Sequence, residues 1–137
     1  MKKPYFGDLI GIPFVRNGRD IKLGLDCWGL LMEVHRRFGN KVPDVSLDPA
    51  QILDIQRATR SQIDSLWQRV EQPAPAVSVV MAIDHDHPNI LSHFGTFIDE
   101  NNILHSQQRY GSILSRYDIM RETMSIRGLY RFVGCGA

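Results

Sequence analysis

The apolar residues of this chain change their spacing once, around Pro73-Ala74-Pro75, and that change limits the folds open to it. Ahead of it, Trp28, Leu30, Leu31, Val34 and Phe38 recur at the spacing of one helix face, as do Ile52, Ile55, Thr59, Ile63, Leu66 and Val70. Beyond it, Val77 to Ile83 is a β-branched apolar run and Ser92 to Asp99 alternates. Ile103 to Gln107, Ser112 to Leu114 and Ser125 to Val133 read as further short strands. Helices first, then an antiparallel meander, is the α+β pattern, with the helices packed on one sheet. With 137 residues, one domain spanning residues 1–137 is expected, and 71–76 is too short a connector to separate two.

Local signals set the helix ends. Asp26 stands at an N-cap, which puts Cys27 at the first helical position, and Gly39-Asn40 stops the helix. A second helix is expected over Pro49 to about Val70, a helical insert at about 48–71. Asp48 caps it, Pro49 suits its first turn, and Gln51 takes the capping-box position. Tyr5 to Ile12 reads as a short helix or turn, and Phe14 to Leu25 as a polar loop.

Sixteen Lys plus Arg against fifteen Asp plus Glu gives a net charge of +1. That balance supplies no basic field for nucleic acid and no polybasic patch for a lipid surface. No apolar run has the length of a membrane span, so no membrane insertion is expected. The start, Met1-Lys2-Lys3-Pro4, lacks the apolar stretch of a signal peptide, and synthesis in the cytoplasm is expected. Two cysteines are too few for a disulfide framework, which makes cysteine a question of chemistry.

Cys27 is the most informative residue. Backbone amides at a helix N-terminus favour a thiolate and can hold the oxyanion formed when sulfur attacks an acyl carbon. Asp26 opposes this, since a neighbouring negative charge raises a thiol pKa. Two readings are open from the residues alone: a small buried hydrophobe, or a nucleophile with an imidazole partner that reacts with alkylating reagents well below pH 8. His93 and His105 both fall within strands. They share a sheet face if the loop between the strands has an odd number of residues, as Asp99 to Asn101 would give. One imidazole would then take the thiol proton while the other orients it. The alternative is two unrelated polar positions.

His35 reads as a solvated or core histidine, Trp67 as core, Trp28 as a cleft wall beside the nucleophile, and Cys135 as a tail thiol. Arg16, Arg19 and Asp20 sit in a glycine-bearing loop that can present a guanidinium to a substrate carboxylate. His85-Asp86-His87 has imidazoles at metal-ligand spacing but no further ligand nearby in sequence, so it reads as a solvated loop. A zinc site of Cys27, His93 and His105 ranks below covalent catalysis, because it gives no reason for a cysteine at a helix N-terminus. No metal or cofactor is expected.

The block Gly24-Leu25-Asp26-Cys27-Trp28-Gly29-Leu30-Leu31 resembles the nucleophile motif of the NlpC-type cell-wall peptidases, a papain-like cysteine family. Ser92-His93-Phe94-Gly95-Thr96-Phe97 is similar to that family's second motif and Ile103-Leu104-His105-Ser106 to its third, in the unpermuted order. The resemblance implies Cys27 as nucleophile, His93 as general base and His105 as the orienting residue. It implies hydrolysis of amide bonds in peptidoglycan stem peptides, often next to D-glutamate, with the cleft lined by Phe14, Arg16, Arg19, Asp26, Trp28, Ser92 and Ser106. Trp28 after the cysteine looks like the form found in phage and prophage tail-tip proteins, which implies a virion-tail setting and other tail proteins as partners. Phe14 stands where many family members carry a Tyr hydroxyl near the oxyanion, so a tail-assembly module with a weak or inactive site is the alternative.

Overall fold

The computed structural model describes residues 4–45, 52–82, 87 and 89–134. The expected caps at Asp48 and Gln51, the loop residues His85 and Asp86, and Cys135 lie outside the described residues. A 3-10 turn over Gly7–Leu9 precedes a two-residue ladder of β1 (Arg19–Asp20) and β2 (Gly24–Leu25), inside the segment expected as a loop. Helix α1 (Cys27–Arg37) follows, then helix α2 (Ile52–Leu66) and strands β3 (Trp67–Val70) and β4 (Val77–Ala82). Strands β5 (His93–Phe97), β6 (Asn102–Gln107) and β7 (Gly111–Arg116), helix α3 (Tyr117–Thr123) and strand β8 (Ser125–Phe132) complete the order. All pairings in the larger sheet are antiparallel, with strand order β3-β8-β4-β5-β6-β7. The α+β architecture expected from the sequence is the observed one.

Helix α1 begins where its cap dictates. The Asp26 carboxylate accepts the Gly29 N–H at 2.8 Å, and the Asp26 carbonyl accepts Leu30 N–H at 3.0 Å. The helix closes at Phe38, and Gly39 turns the chain with φ +91°. Leu30 and Val34 are fully buried against Leu9, Leu25 and Leu104, while Trp28 and Leu31 pack with Phe94 and Val80. Each such side chain contributes about 1.5–3 kcal/mol by leaving water. The other face of the sheet carries Val79, Met81, Phe97 and Ile103, covered by Met120 of α3.

Two expectations are corrected here. The second helix stops at Leu66 rather than near Val70, and Trp67–Val70 instead pairs with Leu129–Phe132 of β8. Helix α3 occupies a stretch expected to contain only strands. It is one short element with a single buried residue, Met120, so it carries almost no periodic signal.

Candidate active site

The β5–β6 hairpin does what an odd loop demands. Gly95 faces His105 and Phe97 faces Ile103, and residues 99–101 form the turn, with the Asp99 carboxylate accepting Asn101 and Asn102 N–H. His93 and His105 therefore share one sheet face, as diagonal neighbours. Their rings stand edge to face with centroids 5.0 Å apart, and His93 Nε2 lies 2.8 Å from His105 Nδ1. His105 Nε2 in turn lies 2.8 Å from Ser115 Oγ on β7. Gly95 makes this file possible. A Cβ there would meet Ile103 Cγ2 at 2.6 Å and His105 Cβ at 3.0 Å, in the space the two residues use.

Cys27 approaches from the α1 side. It packs in one buried cluster with Phe94 of strand β5, so helix N-terminus and strand meet at this residue. The imidazole file lies on the α3 side, in the same alternation as Phe97 and Ile103. At the end of β5, Cys27 and His93 both line a cleft of about 460 Å³ that reaches Met124 just past α3. Phe14, Arg16, Asp26, Ser92 and Ser106 line it too. Phe14 is delivered by a bridge to Leu25, and Ser106 Oγ donates to the Leu25 carbonyl at 3.3 Å. Gln107, Gln108 and Arg109, at the end of β6 and just beyond, were not anticipated as cleft residues.

Two of the expected cleft residues lie elsewhere. Trp28 is buried, with its indole edge-on to Phe94 and its N–H donating to the Pro43 carbonyl at 3.1 Å. One residue along a helix is a rotation of about 100°, which turns Trp28 from the cleft into the core. Arg19 spends its guanidinium inside the protein, on Asp26 at 2.6 Å, Asp44 at 2.9 Å and the Gly18 and Val45 carbonyls. It therefore anchors the loop to the N-cap instead of presenting charge to a ligand. Asp26 reaches the cleft, but its carboxylate is committed to Arg19, Gly29 N–H and Asn17 N–H.

The electrostatics also correct the expected thiolate. Burial, and then the Asp26 charge, push the Cys27 thiol up to about 12, against the smaller pull of the backbone amides. Burial holds both His93 and His105 well below the usual imidazole range. The resting site is thus a neutral thiol beside neutral imidazoles. Among the described residues no group of three His, Cys, Asp or Glu is placed to hold a metal ion. None of the helices among those residues is long and apolar enough to cross a membrane.

No family model matches this sequence, and no curated protein matches it. Solved structures do. An NLP/P60-family lipoprotein-like protein from Staphylococcus aureus superimposes over 91% of this chain with a TM-score of 0.61 at 16% identity. An NlpC/P60 family protein from Bacillus cereus matches over 96% of this chain with a TM-score of 0.63 at 17% identity. This is the NlpC/P60 fold. The chain spans 38% of the Staphylococcus protein and 41% of the Bacillus one. The NlpC/p60 domain of the peptidoglycan hydrolase SagA is matched over 88% of this chain and 87% of its own length, with a TM-score of 0.57 at 15% identity. The NlpC/P60 fold is what the motifs around Cys27, His93 and His105 led us to expect.

Proposed function

We propose that this protein is a cysteine peptidase that hydrolyses amide bonds in peptidoglycan stem peptides. One observation carries the reading: Cys27, opening a helix, shares a cleft with His93, whose far ring nitrogen is held by His105. The NlpC/P60 fold, shared with a domain of a peptidoglycan hydrolase, supports the substrate class. So do Arg16 and Arg109, two exposed guanidiniums in the cleft that suit a peptide bearing free carboxylates.

In the proposed reaction Cys27 Sγ attacks the peptide carbonyl carbon while the thiol proton passes to His93. The C–N bond then breaks, and the His93 proton leaves on the amine. Water, deprotonated by the same imidazole, attacks the thioester and frees the acid and the thiol. His105 keeps the His93 ring oriented throughout. With a neutral resting thiol, proton transfer accompanies the attack rather than preceding it.

A second reading, a tail-assembly module with a weak site, is favoured by Cys27 being only 4% exposed and by Phe14 offering no hydroxyl. The Trp28 form of the motif supports a phage or prophage tail setting for either reading, and detection of the chain in purified tails tests that setting. Digestion of purified muropeptides, followed by mass spectrometry, separates the two readings. The peptidase yields new fragments that vanish with Cys27→Ala; the module yields none.

A further inference from the structure

The hydrogen-bonded file does not end at His105. Three neighbouring strands each contribute one polar side chain to it: His93 from β5, His105 from β6 and Ser115 from β7. The registers explain the geometry. His105 faces Ile113 and Ile103 faces Ser115, so Ser115 is the diagonal same-face neighbour of His105, as His105 is of His93. Two neutral imidazoles in contact have two ways to share their protons, and only one leaves a base facing the nucleophile. If His105 carries its proton on Nε2, its Nδ1 accepts from His93 Nε2–H, and His93 Nδ1 keeps a lone pair for the thiol proton. If His105 carries it on Nδ1, His93 Nε2 becomes the acceptor, its proton moves to Nδ1, and the base is blocked.

We infer that Ser115 is a positioning residue that selects the productive tautomer by accepting the His105 Nε2–H. This deepens the peptidase reading and rests on it. Satisfaction of hydrogen bonds sets the direction of this contact. Ser115 is half-buried on the edge strand, so its hydroxyl can donate to water and offer its lone pair to the ring. The buried ring of His105 has no such recourse to solvent. During attack the thiol S–H breaks and an N–H forms at His93 Nδ1. His105 and Ser115 exchange no proton; they hold the dipoles that stabilise the imidazolium.

The test is nitrogen-15 NMR of histidine-labelled full-length protein at neutral pH, alongside steady-state kinetics on muropeptides. Wild type is expected to show His105 protonated at Nε2 and His93 at Nε2. Ser115→Ala is expected to shift His105 toward the Nδ1–H form and to lower kcat about tenfold with KM unchanged. Ser115→Thr, which keeps the hydroxyl, is expected to restore both. Wild-type tautomers in Ser115→Ala, or an unchanged kcat in that variant, would overturn the inference. A wild type that cleaves no muropeptide but loses its tautomer in Ser115→Ala refutes the peptidase reading while leaving the hydrogen-bond role of Ser115 standing.

Discussion

Gly95 lies directly across from His105 on the adjacent strand, and a Cβ there would come within 2.6 Å of Ile103 Cγ2 and 3.0 Å of the His105 Cβ. Gly95→Ala should therefore act on the site and the fold together. We expect a loss of about 1–3 kcal/mol in urea unfolding, the cost of overpacking, and a larger fall in muropeptide turnover than Ser115→Ala causes. An unchanged unfolding midpoint would show that Ile103 and His105 give way freely.

Cys27 should alkylate slowly in the free protein near neutral pH and faster as pH rises toward about 12, because burial and Asp26 both disfavour the thiolate. Asp26→Asn keeps an N-cap side chain but removes the charge, so it should raise the alkylation rate at any fixed pH below that value. Iodoacetamide rates measured across pH check both. A rapid plateau already at pH 6 would mean a stabilised thiolate instead.

His35 is fully buried, with Nε2 2.7 Å from Ser78 Oγ and Nδ1 3.1 Å from Asn40. Burial pushes its imidazole down to about 4 from an ordinary 6.5. Since the folded value is depressed, the unfolded chain takes up the proton first. Stability is intact above pH 6.5 and falls as pH drops toward 4, by up to about 3 kcal/mol from this residue. The buried His93 and His105 act in the same direction. His35→Gln should flatten the acid limb of a plot of unfolding free energy against pH, even where it costs stability at neutral pH.

Gln56 of α2 clamps the chain two residues before His93. Its side-chain amide donates to the Leu91 carbonyl and accepts the Leu91 N–H, each at 2.8 Å. Arg60, one turn on, donates to the Asn89 carbonyl. Gln56→Ala should speed hydrogen exchange of the Leu91 amide severalfold and cost about 1–3 kcal/mol for the polar groups left behind. Unchanged protection there would mean that α2 does not hold the entry to β5.

Ala76 adopts φ +70° in the turn where Val77 N–H donates to the Ala74 carbonyl at 3.0 Å. A left-handed conformation costs a residue with a Cβ roughly 1 kcal/mol, so Ala76→Gly should raise the melting temperature by a few degrees.

What could be read from the sequence was what neighbours in the chain decide. Asp26, Cys27 and Gly39 fix the ends of α1 through bonds within a few residues, and the loop over 99–101 fixes the shared face of His93 and His105 by parity alone. Pairings across long separations left no such trace. Trp67–Val70 continues the spacing of α2, yet becomes a strand because Leu129–Phe132, some sixty residues later, supplies its ladder. Trp28 is next to Cys27 in sequence and Arg19 lies in the loop before it, but helix rotation and the Asp26 carboxylate draw them away from the cleft. Ser115 was invisible because its role depends on the β6–β7 register, and the strand expected there ended at Leu114.

Peptidase action at this site requires a covalent bond between Cys27 and an acyl fragment of the substrate. Muropeptides mixed with the protein, quenched in acid within seconds and digested for mass spectrometry, report that bond directly. We expect the Cys27 peptide to carry the mass of the acyl fragment as a thioester, and the adduct to be lost in His93→Ala. Muropeptide cleavage that proceeds with Cys27 unmodified, and persists in Cys27→Ala, would contradict it.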